Sequence, residues 1–314
     1  MEIQRNLANF GRRTGVLEQN MQHFMSNSPW SAQAVFRQVQ AKIAATPGLE
    51  RGGILILDES ADERAGAKSA GTGRQHNGRL GKVEMSQVGT FLACDNWPIW
   101  TWVDGELFLQ EHWFTPQMAD ERQHLGTPPE RQFETKIELG WKMIQRVKAN
   151  GLPFEAVACD DLYGRSTWLR AQLRQADTVY IADVLQDTQV YLARPVVSVP
   201  EPQPGHRGRR PMRRRVLSEA RLVQVRDVAR RADTHQHRVW VRVTERGELN
   251  DEFAVRRVWT LRKSEPVQER LVIRREADGG LHVCAEQRSG RHAPGASGVA
   301  GMPTLLRGAH QRLD

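Results

Sequence analysis

The sequence predicts an α/β fold, in which a mixed sheet with a parallel portion is flanked by helices. Residues 54–57 and 154–159 are short, mainly apolar runs, which are typical of strands buried inside a sheet. An amphipathic helix is predicted at residues 135–149, between these two strands. Its apolar residues share one face: Ile137, Trp141, Ile144 and Val147. Helices that alternate with buried strands indicate parallel strands joined by helical crossovers.

The remaining elements of this core follow from local patterns. Residues 1–48 are predicted to be helical, with Ser31 as the N-cap of one helix. A polar, glycine-rich loop is predicted at residues 61–81. Further strands are predicted at residues 83–93, 99–109 and 179–184, and a further helix at residues 166–175.

The composition changes at residue 195. Five prolines and six arginines between residues 195 and 215 predict a basic, extended segment. Short strand-like runs at residues 239–243, 255–261 and 271–275 then predict a β-rich insertion. We therefore divide the chain into a helical segment (1–50), an α/β core (51–194), a basic loop with the β-rich insertion (195–283) and a non-native or disordered tail (284–314).

The charge and the cysteine content restrict the function. The 314 residues carry a formal net charge of +8, with a pI near 9.8, which favours a polyanionic partner such as nucleic acid. The three cysteines form no CxxC pair, so we expect no disulfide framework and no zinc ribbon. No apolar run is long enough to span a membrane, and we expect a cytoplasmic protein. Zinc pairs of the HxxxH or HExxH type, a P-loop and a GxGxxG motif are also absent from the sequence.

Two aspartates stand where predicted strands end. Asp58 follows the first buried strand and Asp160 follows the strand at residues 154–159. Sites in α/β proteins form at the carboxyl ends of strands, so these two carboxylates can converge although the chain separates them widely. Two converged carboxylates would hold a hard cation such as Mg²⁺ (or Mn²⁺) for reactions at phosphate. The alternative is that each aspartate only caps the following turn or helix.

The residues around both aspartates resemble the two catalytic blocks of DDE transposases of bacterial insertion sequences. The first block matches at these residues: Leu57-Asp58-Glu59-Ser60, Lys68, Ser69, Gly71, Arg74-Gln75, Gly78, Gly81-Lys82 and Gln87-Val88. The second block matches at Asp160-Asp161-Leu162-Tyr163-Gly164-Arg165. The resemblance spans about residues 20–280 and implies an RNase H-like core interrupted by a β-rich insertion. It also implies that Asp58 and Asp160 are the first two metal-binding aspartates, with Asp161 as a less favoured neighbour.

The family's third catalytic residue is a glutamate in an Arg-Tyr-x-x-Glu-Arg type motif after the insertion, and nothing here matches it. Glu286 is a poor candidate, since it has no tyrosine neighbour. With permissible codons, the segment from Glu286 onward can be read one nucleotide forward as a sequence that includes a Tyr-Phe-Val-Glu-Arg motif. We therefore expect a C-terminally truncated or frameshifted chain, in which residues after about Val283 do not pack as native structure. The gene's nucleotide sequence tests this, and a downstream frame without such a glutamate motif would refute it.

Several other side chains have two open interpretations. Phosphate contacts or a solvated surface explain Arg74, Lys82, Arg165 and Arg170 equally well. The arginine run favours DNA contact, because six guanidinium groups in nine residues repel one another without an anion. Its members are Arg207, Arg209, Arg210, Arg213, Arg214 and Arg215. For Tyr163, packing against the following helix is preferred over stacking near the site. A place in the core or on a sheet face is preferred over base stacking for four tryptophans: Trp97, Trp100, Trp102 and Trp113.

The function predicted from the resemblance is metal-dependent DNA cleavage and strand transfer by a transposase. It implies insertion-sequence ends and target DNA as partners, held by the N-terminal helical segment (1–50) and the arginine-rich loop, and a homodimer as the active form. One alternative is a catalytically inactive remnant that only binds DNA, because two of three carboxylates position a metal poorly. This alternative is favoured for the chain as it stands. A general RNase H-like nuclease is another alternative.

Overall fold

The structure is a computed structural model that describes residues 7–50, 52–66, 68–78, 80–201, 211–217, 219–231, 233–244, 247–276 and 280–287. The side chains of residues 241–249 and 287 are outside this description. The predicted DNA contacts Arg207, Arg209 and Arg210 lie outside the described residues, as do residues 288–314 of the predicted tail.

Three helices begin the described chain, in agreement with the predicted helical segment. They are α1 (Leu7–Thr14), α2 (Glu18–Asn27) and α3 (Ala32–Ala44). Ser31 caps α3 as predicted, since its hydroxyl accepts a hydrogen bond from the Ala34 N–H at 3.3 Å.

The predicted core elements then follow in the predicted order, together with one strand and two short α-helices that were not predicted. They are β1 (Gly53–Glu63), β2 (Gly73–Asn77), β3 (Lys82–Asn96), β4 (Ile99–Phe108), α4 (Ala119–His124), α5 (Lys136–Ala149), β5 (Phe154–Cys159), α6 (Asp161–Gly164), α7 (Thr167–Gln175) and β6 (Val179–Asp183). The prediction of a loop at residues 61–81 is wrong in part, because this segment contains the end of β1 and all of β2. The end of β1 pairs with β3 beyond the core, where one side faces solvent and the polar sequence resembles a loop.

The insertion begins with short strands and continues with longer ones. Its elements are β7 (Gln189–Tyr191), β8 (Val197–Ser198), β9 (Arg215–Val216), β10 (Leu222–Gln224), α8 (Val225–Arg230), β11 (His237–Thr244), β12 (Gly247–Arg262), β13 (Glu265–Arg275) and β14 (Leu281–Gln287). The predicted strands at 239–243, 255–261 and 271–275 lie within β11, β12 and β13. Residues 284–287 differ from the predicted unstructured tail, because β14 pairs with strands on both sides.

One large mixed sheet joins the core and the insertion. Its order is β10-β7-β12-β13-β14-β6-β5-β1-β3-β2, with β11 beside β12 and β4 beside β3. Strands β1, β5 and β6 are mutually parallel, and β3 runs antiparallel to β1. The predicted α/β class is confirmed, and the sheet flanked by helices is consistent with an RNase H-like fold.

One face of the parallel strands is covered by helices. Helices α3, α5 and α7 contribute Ile43, Met143 and Leu173 to a buried cluster that also contains Leu57 of β1. Helix α5 approaches β1 closely through Gly140, where an added Cβ would lie 2.7 Å from a Leu57 methyl group. This close packing fixes the position of β1 relative to α5. In the described part of the chain, no helix has the length and hydropathy that crossing a bilayer requires.

A buried ion cluster attaches the insertion to the core. Glu269 of β13 lies between Arg262 of β12 and Arg170 of α7, and it accepts a hydrogen bond from the Tyr180 hydroxyl at 2.8 Å. The cluster is almost wholly buried. Burial alone would raise the pKa of Glu269, but the two guanidinium groups hold it below its ordinary value. For Arg170, the sequence leaves a phosphate contact and a solvated surface open, and its place in the buried ion cluster contradicts both interpretations.

We expect Glu269→Gln to lower the free energy of unfolding by about 3 kcal/mol, because it leaves two buried guanidinium groups without a carboxylate. Glu265→Gln is the matched control, since Glu265 also pairs with an arginine but is 62% exposed, and its loss should change little. Because the pKa of Glu269 is lowered on folding, its contribution is present at neutral pH and is lost as pH falls below about 4.5. Urea unfolding at pH 7 and at acid pH measures both effects. Equal losses for the two variants at pH 7 would contradict the argument.

Candidate active site at the carboxyl ends of the parallel strands

Asp58 and Asp160 lie side by side on neighbouring strands. Strands β1 and β5 are parallel, and their register pairs Leu57 with Cys159. One residue further along each strand, Asp58 therefore stands next to Asp160. Residues paired in this way project from the same face of the sheet. The prediction that the two strands are neighbours is confirmed, and both carboxylates face away from the helices that cover Leu57.

Each aspartate also has a local structural role. The Asp58 Oδ1 accepts a hydrogen bond from the Glu59 N–H at 2.7 Å. Asp160 is the N-cap of α6, and its Oδ1 accepts from the Tyr163 N–H at 3.3 Å. These bonds satisfy one oxygen of each carboxylate and fix its orientation. Capping and a role in a shared site are therefore compatible, because each carboxylate has a second oxygen.

The Tyr-Gly pair after Asp160 explains why the chain turns where it does. Tyr163 is fully buried in the core cluster, so the packing preferred for it from the sequence is what the structure shows. Gly164 is pressed against the end of β6, where an added Cβ would lie 1.9 Å from the Asp183 carbonyl oxygen. Only glycine permits this approach, which holds α6 and its N-cap against the carboxyl edge of the sheet.

Burial and mutual repulsion disfavour the ionised form of both carboxylates. Burial raises the pKa of Asp160 to about 7, and the charges of Asp58, Asp161 and Glu59 add to the increase. Burial also raises the pKa of Asp58, with a further contribution from Glu59. Two half-buried carboxylates that repel each other are stabilised by a bound cation.

The two neighbouring acidic residues differ from this pair. Glu59 projects from the opposite face of β1 and forms an ion pair with Lys136 at 2.5 Å. Asp161 is partly exposed and pairs with Arg165 at 3.3 Å. Both charges are therefore already matched by a cation of the chain, which supports the choice of Asp160 over Asp161.

The structure offers two further acidic residues on the same face of the sheet. Asp183 ends β6 in the same row as Asp160, and its Oδ1 accepts a hydrogen bond from the Cys284 thiol at 2.9 Å. Glu286 of β14 is buried, lies opposite Ile181 and forms an ion pair with Arg270. Among the residues that the structure describes, no three His, Cys, Asp or Glu side chains are grouped so that they could hold a metal ion. Sequence reasoning missed the alignment of Asp183, which depends on strand register.

The predicted phosphate contacts Arg74 and Lys82 lie at a distance from the aspartates. Both are exposed on the ribbon formed by β2 and the start of β3. Arg74 pairs with Met85, six residues along β3 from Phe91, which faces Asp58. A strand rises about 3.3 Å per residue, so the separation along the ribbon is roughly 20 Å. Lys82 lies further away and pairs with Glu84 at 3.1 Å.

The other predicted contacts that fall within the described residues are exposed but differ in their neighbours. Arg165 lies just after α6, close in sequence to Asp160, and is paired with Asp161. Arg213, Arg214 and Arg215 are exposed at and before β9, where Arg214 forms an ion pair with Glu265. The structure therefore places one arginine beside the carboxyl edge and a separate group of arginines in the insertion.

We expect Asp160→Asn to stabilise the metal-free protein at pH 8 by on the order of 2 kcal/mol, because it removes a buried charge and retains an N-cap side chain. The pKa of Asp160 is raised on folding, so the carboxylate disfavours folding increasingly as pH rises from about 4 towards 7. The gain should therefore disappear near pH 4. Chelator-treated samples in urea measure it, with Asp161→Asn as the control. A variant less stable than the parent at pH 8 would contradict this account.

Two comparisons identify the relatives of this chain. Residues 2–249 match the sequence model of the DDE superfamily endonuclease family, which is more than half of the chain. A probable transposase for insertion sequence element IS701 of Microchaete diplosiphon is 28% identical over 149 residues. That alignment covers 48% of this chain and only 36% of the relative. The predicted resemblance is confirmed at the level of the family, and the chain belongs to the DDE superfamily of endonucleases.

Proposed function

We propose that this protein acts on DNA as a transposase of an insertion sequence, by metal-dependent strand cleavage and strand transfer at Asp58 and Asp160. The observation that carries the proposal is the register of β1 and β5, which sets the two aspartates side by side. Their raised pKa values show that the bare pair is electrostatically unfavourable. A site that disfavours its own charges is typical of a functional centre.

The donor set fits a hard divalent cation. Carboxylate oxygens are the ligands that Mg²⁺ and Mn²⁺ prefer, and each aspartate has one oxygen outside its backbone hydrogen bond. When bound, such an ion supplies activation of water or of a 3′-hydroxyl and charge neutralisation at phosphate. The chain itself orients the carboxylates through the Glu59 and Tyr163 N–H groups. The core packing of Tyr163 keeps Asp160 at the edge.

The DNA partner is supported by charge. The net charge of +8 and the exposed group Arg213, Arg214 and Arg215 favour sequence-independent contacts with phosphates. The proposal includes Arg74, Lys82 and Arg165 as further contacts, and also the arginines that lie outside the described residues: Arg207, Arg209 and Arg210. It also includes insertion-sequence ends and target DNA as substrates, a homodimer as the active form and the cytoplasm as the location.

A second candidate function is DNA binding without catalysis. It is favoured by the absence of a metal-binding group of three among the described residues, and by the ion pair that engages Glu286. Register places Glu286 two strands from Asp160 and two residues deeper in the sheet, roughly 12 Å away at usual strand spacings. Two carboxylates without a third would position a cation poorly, and positioning dominates phosphoryl transfer.

Cleavage of a supercoiled plasmid in Mg²⁺ or Mn²⁺ separates the two candidates. Active protein should nick DNA, and Asp58→Asn and Asp160→Asn should each reduce the rate at least about a hundredfold, because each removes a charged ligand. Asp62→Asn is the matched control, since Asp62 lies on the same strand but is exposed. It should leave the rate unchanged.

The other outcomes distinguish the alternatives. Binding of DNA without nicking would support the inactive remnant. Nicking that survives both substitutions would reject the assigned site. Nicked products that never contain strand-transfer joints would support a general RNase H-like nuclease.

A further inference from the structure

An aromatic ladder begins beside the candidate active site, with a half-buried phenylalanine followed by two exposed tryptophans. Phe91 of β3 lies opposite Asp58, and Trp102 and Trp100 of β4 lie opposite Ala93 and Asp95. Since Ala93 and Asp95 alternate with Phe91 along β3, all three aromatic side chains project from the face that carries Asp58. We define the ladder as Phe91, Trp102 and Trp100.

The rings of the ladder contact one another but remain accessible. The ring centres of Phe91 and Trp102 are 4.9 Å apart, and those of Trp102 and Trp100 are 5.8 Å apart. Trp100 and Trp102 are 43% and 42% exposed. The place predicted for the tryptophans, in the core or on a sheet face, is found for Trp113, which is buried, and for Trp100 and Trp102 on β4. Trp97 at the hairpin turn differs, since it is 85% exposed. Two indoles exposed side by side at this level are unusual for a sheet face.

Two glycines create a shallow floor beneath the first ring. An added Cβ at Gly89 or Gly105 would lie within 2.9 Å of the Phe91 ring, so this ring occupies the space above both glycines, and the Phe36 ring lies 3.5 Å from the same position at Gly105. Because neither glycine has a side chain, no further side chain from these two positions projects from the surface between Asp58 and Trp102. Strand spacing and rise put Trp102 about 12 Å from Asp58 along the sheet.

We propose that the ladder is a stacking site for unpaired bases of the DNA strand whose phosphate is held at Asp58 and Asp160. The inference rests on the proposed function, and it adds that the DNA is single-stranded where it contacts the ladder. A ligand that presents a phosphodiester to the carboxylates must carry flat, aromatic bases within a few nucleotides of that phosphate. Bases with any sequence can stack on exposed indole rings, whereas bases inside a duplex have no free face.

The test compares binding of two DNA duplexes with a single-stranded 3′ overhang. One overhang is oligothymidine, and the other has the same backbone with abasic sites. In chelator, without cleavage, the parent protein should bind the thymidine overhang about tenfold more tightly, because stacking contributes per base. Tryptophan fluorescence should be quenched only by the overhang that carries bases.

The variants assign the effect to the ladder. The double variant Trp100→Ala/Trp102→Ala should bind both overhangs equally, while Trp102→Phe should retain most of the preference because a ring remains. Trp168→Ala is the matched control, since Trp168 is also 43% exposed but lies on α7. It should behave as the parent does.

Three results would overturn the proposal. The first is equal binding of the two overhangs by the parent, and the second is an unchanged preference in the double variant. The third is a double variant that is monomeric where the parent is a dimer but that still prefers the thymidine overhang. This result would show that the ladder contacts a second copy of the protein and not DNA bases. Metal-dependent nicking by the double variant would leave the proposed function in place, so the two proposals fail separately.

Discussion

The parallel pairing of β1 with β5 is the constraint on which the candidate site depends. The pairing joins two buried strands that are far apart in the sequence, and no local sequence pattern specifies that they are neighbours. Because the register is fixed by packing of Leu57 and Cys159 in one core, the next residue on each strand must emerge at the same edge. The sheet thus places two like charges together and raises the pKa of both.

The elements around this pair limit where each carboxylate can move. Asp160 is tied to the first turn of α6, and α6 is held against β6 by the contact of Gly164 with the Asp183 carbonyl. Asp58 belongs to a long strand that is paired on both sides, with β5 and β3. A pair held by a core on one side and by backbone hydrogen bonds on the other needs little rearrangement to accept a cation.

The insertion continues the sheet of the core and does not form a separate layer. Strand β14 inserts between β13 and β6, and the buried cluster of Arg170, Glu269 and Arg262 joins α7 to the hairpin of β12 and β13. The two faces of the combined sheet have different roles. One face is packed by helices, and the other carries the aspartates and the aromatic ladder.

The sequence by itself determined the fold class, most core elements and the choice of Asp58 and Asp160, because buried strands, an amphipathic helix and a strand-ending aspartate are local patterns. The strand at residues 154–159 was predicted at its observed bounds, and the Ser31 cap was predicted as found. Only the tertiary structure decided the register between strands, which side chains are buried, and which face of the sheet each side chain occupies. The burial of Arg170, the pairing of residues 284–287, the row shared with Asp183 and the ladder beside Asp58 all depend on which strands are neighbours. Contacts between residues distant along the chain set that order, and no local pattern encodes it.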